Sequence, residues 1–368
     1  MSALPDVIVV GAGIVGAACA RELSAAGLTV TVCESGVVGG GATAAGMGHL
    51  AVMDDSEAQF ALTSYSQSLW RELAEELPKE AEYLPCGSLW IAADEEEMRE
   101  VHRKYNYYRE RGIPVEVLDE KQLGEAEPCL RPGMAGGLIM QADGVCYPPC
   151  AAKHFLEASG ARLLRGRRVT AVDEGGVALA DGTYLAAGRV VVATGAAVTE
   201  LFPQIAVTPR KGHLLITDRY PGFVKHQLIE LGYLKSAHSV SSDSVAFNVQ
   251  PRRTGQILIG SSRQYGATDS AVENTMLSRM LRRAMEYMPA IGELSSVRAW
   301  TGFRAATPDK LPLIGRAPGF LNVFLATGHE GLGISTSLAT ARLIGDDLLN
   351  RASAIPREPY LPSRAWCG

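Results

Sequence analysis

The sequence has no apolar run of the roughly 18 residues that a membrane-spanning helix needs. Its opening residues, MSALPD, carry no basic stretch ahead of an apolar one, so a secretory leader is not read there and the expected location is the cytoplasm. Positive charge is not in excess: 35 Lys and Arg stand against 40 Asp and Glu, a net charge of -5, which offers a nucleic acid no basic surface. Cysteine is sparse and badly spaced for metals. Cys19, Cys33, Cys86, Cys129, Cys146, Cys150 and Cys367 are odd in number and contain no C-x-x-C, which argues against a disulfide framework, a zinc ribbon or an iron–sulfur ligand set. The one close pair, Cys146 and Cys150, is separated by two prolines that do not suit a helical ligand face, and no metal is expected. Internal repeats, low-complexity segments and long linkers are also missing.

What remains is a globular composition, 47% hydrophobic and 20% charged, in 368 residues. That length exceeds one ordinary core and predicts two domains that share segments rather than follow each other. Glycine is abundant, at 39 residues, and much of it falls in three clusters.

The first cluster follows an apolar strand, DVIVV. A helix, IVGAACARELSAAG, comes next and is closed by Gly27; LTVTVCE then reads as a second strand. The chain reversal carries G-x-G-x-x-G at Gly11, Gly13 and Gly16, with Glu34 ending the second strand. In this setting Gly11 permits the tight turn, Gly13 admits a pyrophosphate to the backbone, and Gly16 lets helix and strand pack closely. A carboxylate at Glu34 accepts ribose hydroxyls and repels a 2′-phosphate, so the reading is FAD or NAD and not NADP. The second cluster, GVVGGGATAAGMGHL, has six glycines and little bulk; it reads as a loop whose amides approach something large and flat.

Helices are predicted over 56–78, 98–111 and 149–158, with GSLWIAA as a strand between the first two. Short strands and turns fill 162–195, the last strand capped by Thr194 and Gly195. A strand-rich segment covers 207–265 and the helix TMLSRMLRRAMEYMP follows. In the third cluster, FLATGHEGLGISTSLATARLIGDDLL, a strand ends at Gly328, and Gly331 and Gly333 form a turn. A helix is predicted from Ile334, its N-terminus offering amides and the positive end of a dipole.

Four stretches in order, VIVVGAGIVGAACARELSAAG with Glu34, GATAAGMGHL, VVVATGAAV and TGFRAATPDKLPLIG…GHEGLGI, resemble the flavin-dependent oxidoreductases of the D-amino-acid oxidase, glycine oxidase and sarcosine oxidase superfamily. Within it, the second and last resemble the β subunits of heteromeric dye-linked dehydrogenases, D-hydroxyproline dehydrogenase foremost; hydrogen cyanide synthase and octopine oxidases are close in kind. The resemblance implies an α/β fold with a Rossmann-like FAD domain from 1–80, 141–207 and 296–368, interleaved with a mixed-sheet substrate domain from 81–140 and 208–295. By motif position it places Gly11, Gly13, Ile14, Val15, Gly16, Glu34 and Ser35 at the adenosine and pyrophosphate. Gly41, Ala42, Thr43, Ala45, Gly46 and Met47 fall at the ribityl chain and ring, Val169 at the adenine, and Thr194 and Gly195 beside them. Gly328, His329, Glu330, Gly331, Leu332, Gly333 and Ile334 fall at the pyrimidine edge of the flavin.

Arg304 matches the arginine that grips a substrate carboxylate, a task its planar fork suits. His49 and Asn248 are the other candidates at the substrate, and Arg263 is a further one; Asn248 stands where some relatives have tyrosine, and Gly331 where glycine oxidase has arginine. The reaction implied is hydride transfer from an amino acid, D-hydroxyproline for choice, to the flavin. The alternatives are a peroxide-producing oxidase and a non-catalytic electron-transfer flavoprotein. Residues 236–309 contain no lysine, whereas sarcosine-type oxidases use one near the flavin for reaction with oxygen. A dehydrogenase is therefore expected, passing electrons to an α subunit and a small iron–sulfur subunit.

Overall fold

Val7–Val10 is buried along its whole length, as a strand covered on both faces must be. In the computed structural model, which describes residues 4–232 and 243–367, it sits at the middle of a six-stranded sheet. The order is Leu313–Arg316, Val323–Thr327, Arg189–Val192, Val7–Val10, Val30–Glu34, Arg162–Arg165. All pairs are parallel except the first. Helix Ile14–Ala25 lies on one face with Pro148–Ser159 and Ser337–Leu348 packed against it. Ala17, Ala18, Cys19 and Ala20 on it have almost no exposed surface, which allows that close approach. A three-stranded meander, Val169–Asp173, Gly176–Leu179 and Tyr184–Ala186, shares the core on the other face.

The second large sheet has eight strands in the order Ser296–Ala306, Thr208–Arg219, Gln256–Arg263, Ser244–Pro251, Gln227–Glu230, Ser88–Ala92, Gly136–Met140, Val115–Asp119. Helix Asn274–Tyr287 buries Met280, Ala284 and Tyr287 against one side, and Tyr287 stacks on Phe247 with ring centroids 4.5 Å apart. The architecture is thus α/β with mixed sheets, as the sequence implies.

Several expectations shift in detail. The helix expected over 56–78 is Glu57–Leu73, and that expected over 98–111 is Glu95–Glu110. Asp94 caps the second one, accepting from Glu97 N at 2.9 Å, and Glu95, Glu96 and Glu97 suit the dipole of its first turn. Ser296–Ala306, placed by the sequence reading in the nucleotide unit, instead pairs along its length with Thr208–Arg219. By strand pairing, the return to the six-stranded sheet comes after Ala306. Part of the strand-rich segment expected over 207–265, residues 233–242, lies outside the described residues.

Candidate active site

A cavity of about 690 Å³ opens beyond the carboxyl ends of Val7–Val10 and Val30–Glu34 and runs across to a face of the eight-stranded sheet. At its first end Gly11 has φ +100°, and a Cβ there would stand 2.7 Å from the Ala193 oxygen, so only glycine fits. Gly13, Ile14 and Val15 line the cavity. Gly16 does not; a Cβ on it would run into the Gly11 carbonyl, and its part is to seat helix against strand. Glu34 Oε2 accepts from Ala12 N at 2.7 Å and Oε1 from Gly36 N at 2.6 Å. These bonds, with a longer one from Ser35 Oγ to Oε1 at 3.5 Å, fix the carboxylate and leave Oε2 a lone pair. Ser35 and Val169 line the same end, together with Arg167, Arg168 and Glu200, which the sequence reading missed.

The GATAA stretch forms a short helix, Gly41–Ala45, where an open loop was expected. Thr43 explains it: its Oγ1 accepts from Ile14 N at 3.0 Å and ties the segment to the start of the first long helix. Gly41, Ala42, Thr43, Ala45, Gly46 and Met47 all face the cavity, as do Thr194 and Gly195. From the third cluster, His329, Glu330, Gly331, Leu332, Gly333 and Ile334 line it. Gly328 is a correction. It has φ +73° and a Cβ on it would lie 2.7 Å from Thr307 Cγ2, so it shapes the turn behind the wall. The regular helix starts at Ser337 rather than Ile334. A tight first turn precedes it, with Thr336 N donating to Leu332 O and Ser337 N to Ile334 O, which keeps the positive end of the dipole beside the cavity.

At the far end, Arg304 Nη1 donates to Ser262 O at 3.0 Å, and among the described residues no carboxylate is paired with it. Burial, then the neighbouring Arg210 charge, pulls its pKa down to about 10. Ser262 is itself held: its Oγ accepts from His213 N at 2.8 Å and meets His213 Nδ1 at 3.0 Å. Glu330, expected at the cofactor, has its carboxylate paired with Arg210. Its backbone takes φ +54°, and its N–H donates to Ala305 O at 2.8 Å, which aims the side chain there. His329 Nε2 lies 3.0 Å from Thr340 Oγ1, and burial holds the ring down to about 3, so it is a neutral structural histidine.

His49 and Asn248 both reach the cavity. Burial, with help from the Arg304 charge, takes His49 to about 4 and keeps it neutral. Arg263 lines the cavity too, with Arg210, Gly212, Gln227, Ser261 and Lys310, none of which the sequence reading named except Arg263. Lys310 stands one position past the lysine-free stretch, so that absence does not hold for the cavity wall.

Whether the lining suits FAD is tested by its polar atoms. Thr194 Oγ1, His49 Nε2, Asn248 Oδ1 and both amide atoms of Gln227 are buried without a protein partner. Buried polar atoms are seldom left so, and a ligand filling the cavity would satisfy them. The glycine cradle at one end and the broad sheet face at the other match a long dinucleotide with a flat ring.

The chain matches the family model described as DAO, FAD dependent oxidoreductase, over residues 6–346. It is 30% identical over 377 residues to a glycine oxidase of Geobacillus kaustophilus, covering 98% of this chain and 97% of the relative. The hydrogen cyanide synthase subunit HcnC of Pseudomonas aeruginosa is 28% identical over 426 residues, covering 98% and 96%. The crystal structure of glycine oxidase from Geobacillus kaustophilus superposes with a TM-score of 0.88 at 28% identity, over 98% of each chain. L-proline dehydrogenase from P. horikoshii shares the fold, with a TM-score of 0.87 at 24% identity over 99% and 98%. A match across nearly the whole chain, on a cavity of this form, makes the protein a member of the DAO family of FAD-dependent oxidoreductases.

Proposed function

We propose that the cavity holds FAD from the Gly11–Val15 turn and Glu34 to Ala42–Met47 and the 329–334 turn, and that an amino acid is oxidised at its C–N bond with its carboxylate on Arg304. The domain division follows the two large sheets, with the nucleotide on the six-stranded one and the substrate on the eight-stranded one. When bound, FAD supplies a two-electron acceptor for the C–H bond beside the amine, which leaves as the imine. Arg304 carries this reading: a guanidinium in the cavity wall, buttressed through Ser262 and without a carboxylate partner among the described residues. A bidentate pair with the substrate carboxylate fixes the α-carbon and turns binding into orientation. The cationic surroundings favour the neutral amine over the ammonium, so no side-chain base is required. The dipole end at 332–336 favours negative charge at the ring edge it faces.

D-hydroxyproline is the first substrate to try, because it pairs an anchoring carboxylate with a ring nitrogen. A partner subunit is the electron acceptor we infer, on the resemblance to heteromeric dehydrogenases and on a relative that is itself named as a subunit. The test is anaerobic bleaching of the bound flavin by D- and L-amino acids, cyclic and acyclic. Arg304→Ala should raise KM at least about 100-fold with flavin content kept, the cost of one lost charge-assisted pair. A wild-type flavin that no amino acid bleaches would defeat the amino-acid reading, and peroxide released in air at the full turnover rate would defeat the partner acceptor.

A further inference from the structure

Further along the sheet face that carries Arg304, a group of neutral polar side chains lines the cavity with nothing to bind. Gln227 is fully buried on strand Gln227–Glu230, and neither its Oε1 nor its Nε2 meets a partner among the described residues. Ile229, two positions on and so on the same face, pairs with Trp90 on one side and Asn248 on the other. All three line the cavity, and Trp90 Nε1 and Asn248 Oδ1 are likewise buried and unpaired.

Helix Glu57–Leu73 contributes a fourth member. Ser56 to Gln59 read as a capping box, and Ser56 Oγ does accept from Gln59 N at 3.1 Å. The return bond is not made: Gln59 Oε1 is buried without a partner, and Gln59 lines the cavity. At Asp119 and Gln122 the corresponding box is closed in both directions.

The charges nearby are already engaged. Lys104 Nζ lies 4.9 Å from the Trp90 ring centroid and pairs with Asp54. Asp143 accepts from Ser88, Gln67 and Val52 N, and Asp55, exposed in the cavity wall, acts on Arg263. The unpaired atoms are neutral, and either orientation of the Gln227 amide presents a donor beside an acceptor. Buried atoms of this kind are seldom left open, and a charged group would give up its water to neutral partners at greater cost than an uncharged one. Asn248 stands one strand from Ser262, which holds Arg304, and Gln227 stands two, about 5 and 10 Å across the sheet.

We propose that Gln227, with Gln59, Trp90 and Asn248, receives the end of the substrate's side chain, and that this end is an uncharged group that both donates and accepts hydrogen bonds, a carboxamide or a hydroxyl. Gln227 is then the residue that decides specificity. The proposal rests on the amino-acid reading above and deepens it, because amino acids with apolar side chains become poor substrates. A site built to hydrogen-bond a substrate rejects the analogue that lacks the group, since its own buried atoms stay unpaired.

The test uses the FAD-loaded protein and anaerobic stopped-flow reduction of its flavin by matched pairs of either hand: threonine and valine, asparagine and leucine, hydroxyproline and proline. The best polar member should exceed its apolar match by about tenfold or more in the second-order rate of flavin reduction. Gln227→Leu, which keeps the bulk and removes both hydrogen-bonding atoms, should bring that ratio to within about threefold of one. Because the readout is a ratio within one protein, partial loss of flavin cancels. A wild-type ratio below about tenfold in every pair overturns the side-chain subsite while leaving amino-acid oxidation intact. Aspartate reacting as well as asparagine, where asparagine is the best of the panel, overturns the uncharged end. A ratio that Gln227→Leu leaves unchanged while flavin content falls assigns Gln227 to the cofactor and overturns its role in specificity. A flavin reduced by none of the panel overturns both this proposal and the amino-acid reading. If Gln227→Leu holds no flavin at all, the wild-type ratio decides.

Discussion

Gly212 offers the sharpest check on how Arg304 is held. Alanine there would place a Cβ 2.9 Å from Ser262 O and 3.0 Å from Arg304 Cζ, inside the 3.4–4 Å of ordinary contact. The carbonyl belongs to the backbone of a neighbouring strand and is anchored through His213, so the guanidinium must yield. Gly212 is not among the glycines with positive φ, so the replacement adds no backbone strain that would blur the result. Moving an anchoring group by on the order of 1 Å costs about 100-fold in rate. Losing one of two charge-assisted hydrogen bonds costs about 1.5–3 kcal/mol, roughly 10- to 150-fold. Both routes put the loss in kcat/KM for Gly212→Ala at about 10- to 100-fold, shared between KM and kcat because the anchor both binds and aims. The assay compares an amino acid that bleaches the flavin with the amine left by removing its carboxylate, and the gap between the two should shrink by the same factor. A Gly212→Ala protein with full flavin content and kcat/KM within about twofold of wild type would refute the reasoning.

Three other outcomes follow from the same geometry. Gly16→Ala forces the first long helix off the Gly11 carbonyl and should give a protein whose visible flavin absorbance per chain is lost; a fully yellow variant would count against the cradle. Gly302→Ala pushes a methyl into Ala45, whose carbonyl accepts from Trp300 Nε1 at 3.3 Å, and should weaken FAD retention on dilution by about tenfold or more, the effect of roughly 1.4 kcal/mol. Asp143 is a buried carboxyl raised from 3.8 to about 7 by burial, against hydrogen bonds from Ser88, Val52 N and Gln67. The raised value means that the folded state keeps a proton the unfolded chain releases. Its stabilisation is whole below about pH 4 and is lost as pH rises through about 7, roughly 4 kcal/mol in all. Asp143→Asn should therefore gain Tm relative to wild type between pH 5 and pH 8, and a constant difference across that range would exclude the linkage.

The nucleotide half of the fold was legible because its requirements are local. Gly11, Gly13, Gly16 and Glu34 fall within one strand–helix–strand unit, and each answers a demand of the turn it occupies. What missed there was short-range too: Thr43 winds GATAA into a helix through one bond to Ile14 N, and a tight turn at Leu332–Thr336 delays the last helix to Ser337. Neither event has a strong signature in residue periodicity. Gly328 was placed at the cofactor by position in a motif, which cannot tell a residue facing the cavity from one that shapes the turn behind its wall, nor show that Glu330, which does line the cavity, also answers Arg210.

The substrate half was legible in scattered residues, Arg304, Arg263, His49 and Asn248, and not as an arrangement, and the reason is register. Arg210, Gly212, Arg263 and Arg304 sit on three strands far apart in the chain, and nothing in TPRKGHLLIT or GQILIGSSR marks which alternate residues share a face. A slip of one residue in Thr208–Arg219 would turn Arg210 and Gly212 away and bring Lys211 inward, removing the floor under Arg304 and the partner of Glu330 together. In the observed register Lys211 is buried on the opposite side, held by Asp269 and Glu273 at 3.3 and 3.1 Å. That cation therefore locks the pairing that aims Arg304, although it lies on the face away from the cavity. The charge pattern around the substrate is thus a property of how two long strands align, and sequence motifs report it only where one of its members happens to fall within them.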